Sequence, residues 1–266
     1  MQTVAIAGVG AIGAELARAL DRGVEGLRLV MVSARDRERA AALVAGFADP
    51  PAVVGLAELA AADIVVEATP AAVFDQVAGP AIEAGRVLVP CSVGALLPRM
   101  ALIERARQTG ARIVVPTGAL LGLDAVRAAA EGPVSSIGIE TRKPPGGLVG
   151  APYLLEHGID LADLAEPRLV FEGDARAAAA GFPANVNVAA ALALAGIGPE
   201  RTTVRIWADP GVTRNIHTVQ VVSDAARFTM TIENVPSDSN PRTGKLTALS
   251  VLACLRGLTS TLKVGS

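Results

Sequence analysis

The sequence predicts an α/β protein in two parts: a doubly wound parallel sheet, and a second α+β domain whose sheet is mostly antiparallel. The first indication is a glycine-rich turn that follows a short apolar strand and precedes a helical pattern near the start of the chain. The second is a series of short, uniformly apolar strands separated by helical segments, which is typical of a parallel sheet covered on both faces. The third is two-residue alternation at residues 227–233, which indicates an antiparallel strand with one polar face.

The glycine-rich turn has the sequence Gly8-Val-Gly-Ala-Ile-Gly13, which is the fingerprint of Rossmann-type dinucleotide-binding domains. Gly8 permits the tight turn, Gly10 lets a pyrophosphate approach the backbone, and Gly13 lets the helix pack close to the strand. The following helix offers unpaired N–H groups and its positive dipole end to the phosphates. The motif therefore predicts NAD or NADP binding through Gly8, Gly10, Ala11, Ile12 and Gly13. The alternative is an ordinary strand-to-helix turn that binds nothing.

The end of the second predicted strand, at residues 27–32, bears on the choice of coenzyme. NAD-binding sites usually carry Asp or Glu here, which accepts hydrogen bonds from the ribose 2′-hydroxyl. Ser33 stands at this position, and Arg35 follows it. A hydroxyl and a guanidinium suit a 2′-phosphate, so we expect NADP to be accepted at least as readily as NAD. Asp36 could still reach the ribose, which keeps both coenzymes open, and the alternative for Arg35 is a solvated residue at a helix start.

A further strand that ends in a turn is predicted at residues 64–70, and others at 87–90 and 113–116, with helices between them at about 71–84 and 98–109. Ligands of parallel sheets bind beyond the carboxyl ends of the strands. The loops at these ends therefore supply further candidate coenzyme contacts, which are Ala68, Thr69, Ser92, Val93 and Ala119.

Composition argues against several other classes of partner. The 266-residue chain is 51% hydrophobic and 19% charged, with a net charge of −2 and no basic run, so we expect neither nucleic acid nor membrane partners. Residues 177–199 are uncharged, but glycine, proline and asparagine interrupt them, so they do not predict a membrane span. Met1 leads directly into the first strand, so we expect no signal peptide and a cytoplasmic location. Two cysteines and two histidines without ligand spacing predict no metal site, and Cys91 is expected to pack beside the coenzyme.

The second half of the chain predicts a separate domain. Its strands are predicted at 134–142, 168–172, 203–208, 215–223 and 227–233, and its helices at 175–181 and 186–195. The last apolar stretch, at residues 246–258, has helical spacing and is expected to pack on the first domain. The predicted boundaries are 1–116 plus 241–266 for the dinucleotide-binding domain and 117–240 for the catalytic domain. We also expect a homodimer formed through the second domain's sheet.

Eight short motifs follow one another along the chain. They are Gly8-Val-Gly-Ala-Ile-Gly13, Ser92-Val-Gly-Ala95, Gly118-Ala-Leu-Leu-Gly-Leu-Asp-Ala125, Thr141-Arg-Lys-Pro144, Phe182-Pro-Ala-Asn-Val-Asn-Val-Ala-Ala190, Ala208-Asp-Pro210, Asn215-Ile-His217 and Asn240-Pro-Arg-Thr243. Each motif is weak alone, but in this order they make the chain resemble the L-aspartate dehydrogenase family over nearly its whole length.

The resemblance implies NAD(P)-linked oxidative deamination of L-aspartate to oxaloacetate and ammonia through iminoaspartate. Such an enzyme can supply iminoaspartate for NAD biosynthesis. The resemblance also implies that His217 is the catalytic histidine and that Ala119 and Asn187 contact the coenzyme. Thr243, in the last motif, is a further candidate coenzyme contact.

The histidines support this chemistry independently of the resemblance. Amine oxidation requires deprotonation of the substrate ammonium and attack of water on the imine, and histidine titrates in the range that suits both steps. His157 lies at the end of a predicted short helix, where it is expected to be structural. His217 lies in a predicted strand on the same face as Val219 and Val221, where it is either the catalytic group or a buried core histidine.

A substrate with two carboxylates needs cationic or amide partners. The candidates are Arg142, Lys143, Asn187 and His217. For Arg142 and Lys143 the alternative is a solvated strand end.

Two other function classes stay open. One is a related reductase or dehydrogenase of another small carboxylate, such as a homoserine dehydrogenase or a dihydrodipicolinate reductase, and a substrate panel distinguishes it. The other is a non-catalytic dinucleotide sensor, which would bind coenzyme tightly without turnover of any amino acid.

Overall fold

The computed structural model describes residues 1–237 and 244–265, which form two compact units. The first unit comprises Met1–Ser92, Arg99–Pro116 and Thr247–Lys263, and the second comprises the described parts of Val93–Pro98, Thr117–Leu246 and Val264–Ser266. The predicted division differs from this in three places. Residues 93–98 join the second unit rather than the first, and the first unit resumes at Thr247 rather than at 241, a position outside the described residues. The first unit also ends at Lys263, and the described residues after it belong to the second unit.

The first unit alternates strands and helices along the chain. Its elements are β1 (Gln2–Ala7), α1 (Ala11–Asp21), β2 (Leu27–Ser33), α2 (Arg37–Val44), β3 (Ala52–Val53), β4 (Ile64–Glu67), α3 (Phe74–Glu83), β5 (Val87–Pro90), α4 (Ala101–Thr109) and β6 (Arg112–Ile113).

These strands form one parallel sheet in the order β3-β2-β1-β4-β5-β6, which confirms the predicted doubly wound Rossmann-type arrangement. All four residues of β4 and the last four of β1 are buried, as expected for strands covered on both faces. The strand order reverses between β1 and β4. Ligands of such sheets bind in the crevice at this reversal.

Proline chemistry explains where the observed elements depart from the predicted ones. β6 ends before residue 116, because Val114 still donates its N–H to the carbonyl oxygen of Leu88 at 2.8 Å but Pro116 has no N–H to donate. The helix predicted from residue 71 begins, after Pro70, as a 3₁₀ turn over Ala71–Val73. The helix predicted from residue 98 is likewise preceded by a proline-containing 3₁₀ helix over Val93–Arg99.

The second unit combines four helices and five strands within its described part. They are α5 (Leu123–Ala130), β7 (Val134–Lys143), α6 (Pro152–Glu156), β8 (Arg168–Asp174), α7 (Ala175–Gly181), α8 (Asn187–Ala195), β9 (Thr202–Ala208), β10 (Asn215–Ser223) and β11 (Arg227–Asn234).

The strands of this unit lie in the order β11-β10-β7-β9-β8. The β7–β9 pair is parallel and the other three neighbouring pairs are antiparallel, so the predicted mostly antiparallel sheet is confirmed. In β7 every second residue from Ile137 to Lys143 is buried, and in β10 His217, Val219 and Val221 are buried in the same way. Helix α5 packs against β10, α7 against β8 and β9, and α8 against β9, so helices cover the buried residues of the sheet.

The uncharged segment 177–199 folds as parts of two short helices separated by a turn. Its second helix, α8, is almost entirely buried. Within the described ranges no helix combines the length and the apolar sequence needed to cross a bilayer.

The last helix, α9 (Lys245–Thr259), returns to the first unit. Its Val251 and Leu255 are fully buried in the same apolar core as Leu16 and Leu20 of α1. The hydroxyl of Thr259 donates a hydrogen bond to the carbonyl oxygen of Glu25 at 2.9 Å, which fixes the end of α9 beside the turn that precedes β2.

Candidate functional site

The glycine-rich turn between β1 and α1 has the geometry that phosphate binding requires. Gly8 has a φ of +89°, and a Cβ there would collide with the carbonyl oxygen of Ala68. A Cβ on Gly13 would collide with the carbonyl oxygen of Gly8. Gly10 is exposed with open space around its Cβ position, and no side chain caps α1. A pyrophosphate can therefore reach the first-turn N–H groups, which belong to Ala11, Ile12 and Gly13.

The end of β2 offers a cation, and its nearby carboxylate serves as a helix cap. Ser33 is buried, and its carbonyl oxygen accepts the N–H of Gly8 at 2.7 Å, which joins β2 to the glycine-rich turn. Arg35 is exposed. Asp36 caps α2, because its Oδ1 accepts the N–H of Arg39 at 2.9 Å. One oxygen of the carboxylate that could bind a ribose hydroxyl is thus used within the protein.

The loops after β4 and β5 are joined by Glu67, the last residue of β4, which is completely buried. Its Oε1 accepts the N–H and the hydroxyl of Thr69 at 2.8 and 2.7 Å, and its Oε2 accepts the N–H of Ser92 at 3.0 Å. The Ser92 hydroxyl lies 3.1 Å from Glu67 Oε1 and 2.8 Å from the Thr69 carbonyl oxygen, and its single proton can go to either. Ala68 is partly exposed beside this network, whereas Val93 is buried and belongs to the second unit.

In the second unit, His217 and Thr141 face each other across the β10–β7 pair. His217 is 2% exposed, and its Nδ1 lies 2.9 Å from Oγ1 of Thr141. When Nδ1 carries the proton and donates it to Thr141, Nε2 keeps a lone pair that can accept a proton. Burial, and then the positive charge of Lys143, lower the pKa of His217 from 6.5 to about 3. The imidazole is therefore neutral at neutral pH.

Lys143 lies on the same buried face of β7, two residues after Thr141. It is 5% exposed, and its Nζ donates a hydrogen bond to Oδ1 of Asn185 at 2.7 Å. Burial lowers the pKa of Lys143 from 10.5 to about 8. No carboxylate of the described residues pairs with it, so its ammonium is a buried cation without a counter-ion. We refer to His217, Thr141, Lys143 and Asn185 as the polar cluster.

Arg142 lies outside the polar cluster. Because side chains alternate along a strand, it projects to the opposite face of the sheet from its neighbour Lys143. There it forms ion pairs with Glu140 at 3.0 Å and Asp209 at 3.2 Å, and its guanidinium lies 4.8 Å from the ring centroid of Trp207. Of the two cationic candidates from the sequence, the structure brings only Lys143 to the histidine.

Asn187 and Ala119 also lie in the second unit, each held by a hydrogen bond. Oδ1 of Asn187, at the start of α8, accepts the N–H of Gly94 at 3.0 Å. The carbonyl oxygen of Ala119 accepts a hydrogen bond from Nδ2 of Asn234 at 2.9 Å. Thr243 lies outside the described residues.

His157 and Cys91 have structural surroundings. His157 ends α6, where its Nδ1 lies 2.9 Å from the carbonyl oxygen of Tyr153 and its ring stacks on that residue. Burial and the neighbouring Glu67 carboxylate raise the pKa of the Cys91 thiol well above its ordinary value, which disfavours the reactive thiolate. Within residues 1–237 and 244–265, no three His, Cys, Asp or Glu side chains come together as a metal site.

Three residues of these sites are absent from the sequence-based prediction. Glu67 had a usable signal, since it is an acidic residue at the end of an otherwise apolar buried strand. Thr141 could have been found from its spacing, because residues two apart in a strand share a face with each other. Asn185 had no signal beyond its place in one of the motifs that carry the resemblance.

Comparison with known proteins identifies the family. Residues 124–258 match the family model described as aspartate dehydrogenase, C-terminal, and residues 8–116 match the homoserine dehydrogenase, NAD binding domain. The chain is 53% identical to an L-aspartate dehydrogenase of Bradyrhizobium diazoefficiens, over 99% of this chain and 94% of the relative. The chain belongs to the L-aspartate dehydrogenase family.

Two further aspartate dehydrogenases are similar to this chain over nearly its whole length. The chain is 54% identical to L-aspartate dehydrogenase 3 of Bordetella bronchiseptica, over 99% of this chain and 97% of the relative. The crystal structure of aspartate dehydrogenase from Thermotoga maritima matches 100% of both chains, with a TM-score of 0.74 and 26% identity. The resemblance predicted from the motifs is confirmed, and the first unit is a nicotinamide-dinucleotide-binding domain that takes NAD or NADP.

His217 should stay neutral far below the ordinary pKa of histidine. In a variant carrying His157→Ala, the remaining imidazole NMR signal belongs to His217, and we expect it not to titrate between pH 8 and pH 5. In the unfolded chain His217 has an ordinary pKa and binds a proton below pH 6.5, whereas in the folded protein it does not. The free energy of unfolding should therefore fall by up to about 1.4 kcal/mol per pH unit below pH 6.5 from this group. Titration of the signal near pH 6.5 would contradict the buried environment.

Lys143→Met should stabilise the protein. At pH 7 the ammonium is charged in both the folded and the unfolded chain, and burying it without a counter-ion costs folding free energy. We expect the variant to gain roughly 1–3 kcal/mol in urea unfolding at pH 7, and the gain should shrink as the pH rises from about 8 to 10.5. Lys263→Met, at an exposed position, is the matched control and should change stability little. A loss of stability in Lys143→Met would show that the ammonium is favourably paired.

Proposed function

We propose that this protein is an NAD(P)-dependent L-aspartate dehydrogenase, which oxidises L-aspartate to iminoaspartate that water then converts to oxaloacetate and ammonia. The observation that carries the proposal is the polar cluster, in which a neutral imidazole lies near a buried cation that no carboxylate of the described residues pairs with. A proton acceptor and a carboxylate-binding cation are two groups that oxidation of an acidic amino acid requires. The cluster lies in the region that matches the aspartate dehydrogenase C-terminal family model.

Lys143 is proposed to bind a substrate carboxylate. A buried charge is stable only when it is paired, and among residues 1–237 and 244–265 the hydrogen-bond partner of Nζ is a neutral amide oxygen, that of Asn185. A carboxylate would supply the missing negative charge while Asn185 keeps Nζ oriented. Arg142 is the weaker candidate for this role, because Glu140 and Asp209 already neutralise it.

His217 is proposed to move protons during the reaction. The substrate nitrogen must lose a proton before Cα can release a hydride, and the attacking water must lose one as it adds to the imine carbon. A nicotinamide coenzyme bound at the glycine-rich turn would supply the acceptor for the hydride and its electron pair. Nε2 of His217 can take the proton from water, while the hydrogen bond between Nδ1 and Thr141 fixes the ring.

Substrate binding is expected to make His217 a better base. The charge of Lys143 is one of the two causes that lower its pKa in the free protein. A carboxylate beside Lys143 offsets that charge, so the pKa of His217 should rise in the complex. Burial, the larger cause of the lowered pKa, remains, so the bound carboxylate removes only the smaller of the two effects.

The coenzyme preference is proposed to favour NADP or to be dual. Arg35 is exposed near the end of β2, Ser33 replaces the usual acid, and Asp36 is engaged as a helix cap. Ala119, Asn187 and Thr243 remain proposed coenzyme contacts on the strength of the family motifs.

We further propose a cytoplasmic homodimer that can supply iminoaspartate for NAD biosynthesis. Both cysteines are free, which suits a reducing compartment. In the second unit β11 forms one edge of the sheet over eight residues, and an edge strand of this length can pair with a second copy.

A substrate panel tests the proposed reaction. NAD(P)H formation is followed with L-aspartate, D-aspartate, L-glutamate and L-homoserine. L-Aspartate should exceed L-glutamate by roughly 10–200-fold in kcat/KM, because one extra methylene misplaces the second carboxylate. Comparable rates with L-homoserine would indicate a homoserine dehydrogenase instead. Coenzyme binding with no turnover of any amino acid would indicate a sensor.

His217→Ala should lower kcat by roughly 10²–10⁴-fold while coenzyme affinity barely changes. The reason is that the pyrophosphate is expected to be held by the glycine-rich turn of the first unit, whereas the imidazole is expected to serve proton transfer. His157→Ala removes the other histidine and is the control. A folded His217→Ala protein with near-normal turnover would rule out the catalytic role.

Arg35→Ala should weaken NADP binding much more than NAD binding, by about 1–3 kcal/mol, if a charge-assisted contact with the 2′-phosphate is lost. Dissociation constants for both coenzymes, measured on the same preparation, give the difference directly. Equal small losses for the two coenzymes would show that Arg35 does not touch the phosphate.

A further inference from the structure

We propose that Glu67 is a positioning residue of the coenzyme site. It fixes the loops after β4 and β5, and its buried negative charge favours the oxidised, cationic form of the coenzyme over the reduced form. The proposal concerns the first unit alone. It therefore holds or fails independently of which substrate the enzyme oxidises.

The hydrogen bonds of Glu67 indicate a carboxylate rather than a protonated acid. Three donors converge on its two oxygens: the N–H and hydroxyl of Thr69, and the N–H of Ser92. Each of the two oxygens accepts a backbone N–H, which can only donate, and an ionised carboxyl group accepts equally well at both oxygens. Because Thr69 and Ser92 follow different strands, one side chain sets the spacing of two loops.

The charge of Glu67 has no cationic partner among residues 1–237 and 244–265. Arginine side chains pair with other acids in this unit, as Arg86 does with Asp63 and Arg99 with Asp75. Neutral donors orient a carboxylate and stabilise it but do not cancel its charge. Its field acts on its surroundings, since the same carboxylate helps to raise the pKa of the buried Cys91 thiol.

The position of Glu67 places this field at the nicotinamide half of the site. In a doubly wound sheet the dinucleotide lies across the carboxyl ends of the strands, with one half on each side of the reversal between β1 and β4. The ribose-binding position follows β2, so the β4–β5 side receives the nicotinamide half. Gly8 packs against the carbonyl of Ala68, so the phosphate turn also rests on the loop that Glu67 holds.

Comparing the oxidised and reduced coenzymes distinguishes the two proposed effects of Glu67, which are to fix the loops and to supply a negative charge. They share their phosphates, riboses and adenine, but the nicotinamide ring is cationic when oxidised and neutral when reduced. A residue that only braced the loops would affect both forms equally. A buried negative charge nearby would stabilise the oxidised form selectively.

Isothermal titration calorimetry with Glu67→Gln tests the proposal. Affinities for NADP⁺ and NADPH, and for NAD⁺ and NADH in parallel, are measured on the full-length protein. We expect the oxidised form to lose roughly tenfold in affinity and the reduced form about twofold, because the amide keeps the size but not the charge. Equal losses for the two forms would overturn the role of the charge, and no loss in either form would overturn the whole proposal.

Asp63→Asn is the matched control. Asp63 accepts the N–H and the hydroxyl of Thr3, each at 2.8 Å, beside the opposite end of β4. The Asp63→Asn variant thus weakens hydrogen bonds of the same kind in the same sheet, at the end of β4 that lies away from the proposed coenzyme site. Its melting temperature should fall while its coenzyme affinities stay unchanged. Changed affinity ratios in this variant would attribute the Glu67 effect to general loosening of the sheet and overturn the proposal.

Thr69→Val keeps the proposal testable if Glu67→Gln does not fold. It removes one hydroxyl donor and leaves the carboxylate in place. Both redox forms should then bind less tightly, while the preference for the oxidised form is kept or increased. A fall in that preference would show that loop shape, not charge, sets it.

Discussion

The polar cluster depends on the pairing register between β7 and β10. Thr141 lies opposite His217 in this register, and the next buried position along β7 is Lys143. A slip of one residue would turn Arg142 into the interior and Lys143 out of it, because side chains alternate between the two faces. β11 fixes the other side of β10, where His217 pairs with Ile232. The chemistry of the second unit is therefore a property of the sheet as a whole.

Both units place a charge at the end of a buried strand, and in the part of the chain that the structure describes no oppositely charged side chain neutralises it. In the first unit Glu67 is oriented by Thr69 and Ser92, and in the second Lys143 is oriented by Asn185. Such groups lower the stability of the folded chain, since desolvating a charge is unfavourable. They are opposite in sign, and each suits a different species: a cationic ring for the carboxylate, a carboxylate for the ammonium. Buried, unneutralised charges of this kind are typical of functional sites, where stability is sacrificed for binding or catalysis.

Much of this architecture could be predicted because it depends on local sequence. The glycine spacing fixed the nucleotide-binding turn, and alternation along residues 227–233 predicted an antiparallel strand that is present at Arg227–Asn234. A single sequence does not show whether Arg142 or Lys143 faces the interior, because the pairing of a strand with its neighbours decides which of its residues are buried. Glu67 went unnoticed for a related reason. Its partners lie two and twenty-five residues further along the chain, and only folding brings them to one carboxylate.

The return of α9 to the first unit has a consequence for how the chain folds during synthesis. Domains generally fold as units as they leave the ribosome, with the N-terminal one first. Here the core around β1 and α1 includes Val251 and Leu255, which emerge after nearly the whole second unit. The domain that begins first is thus completed last. Its apolar surface stays uncovered through most of translation, and the second unit, which needs no such late segment for its sheet, can assemble before it.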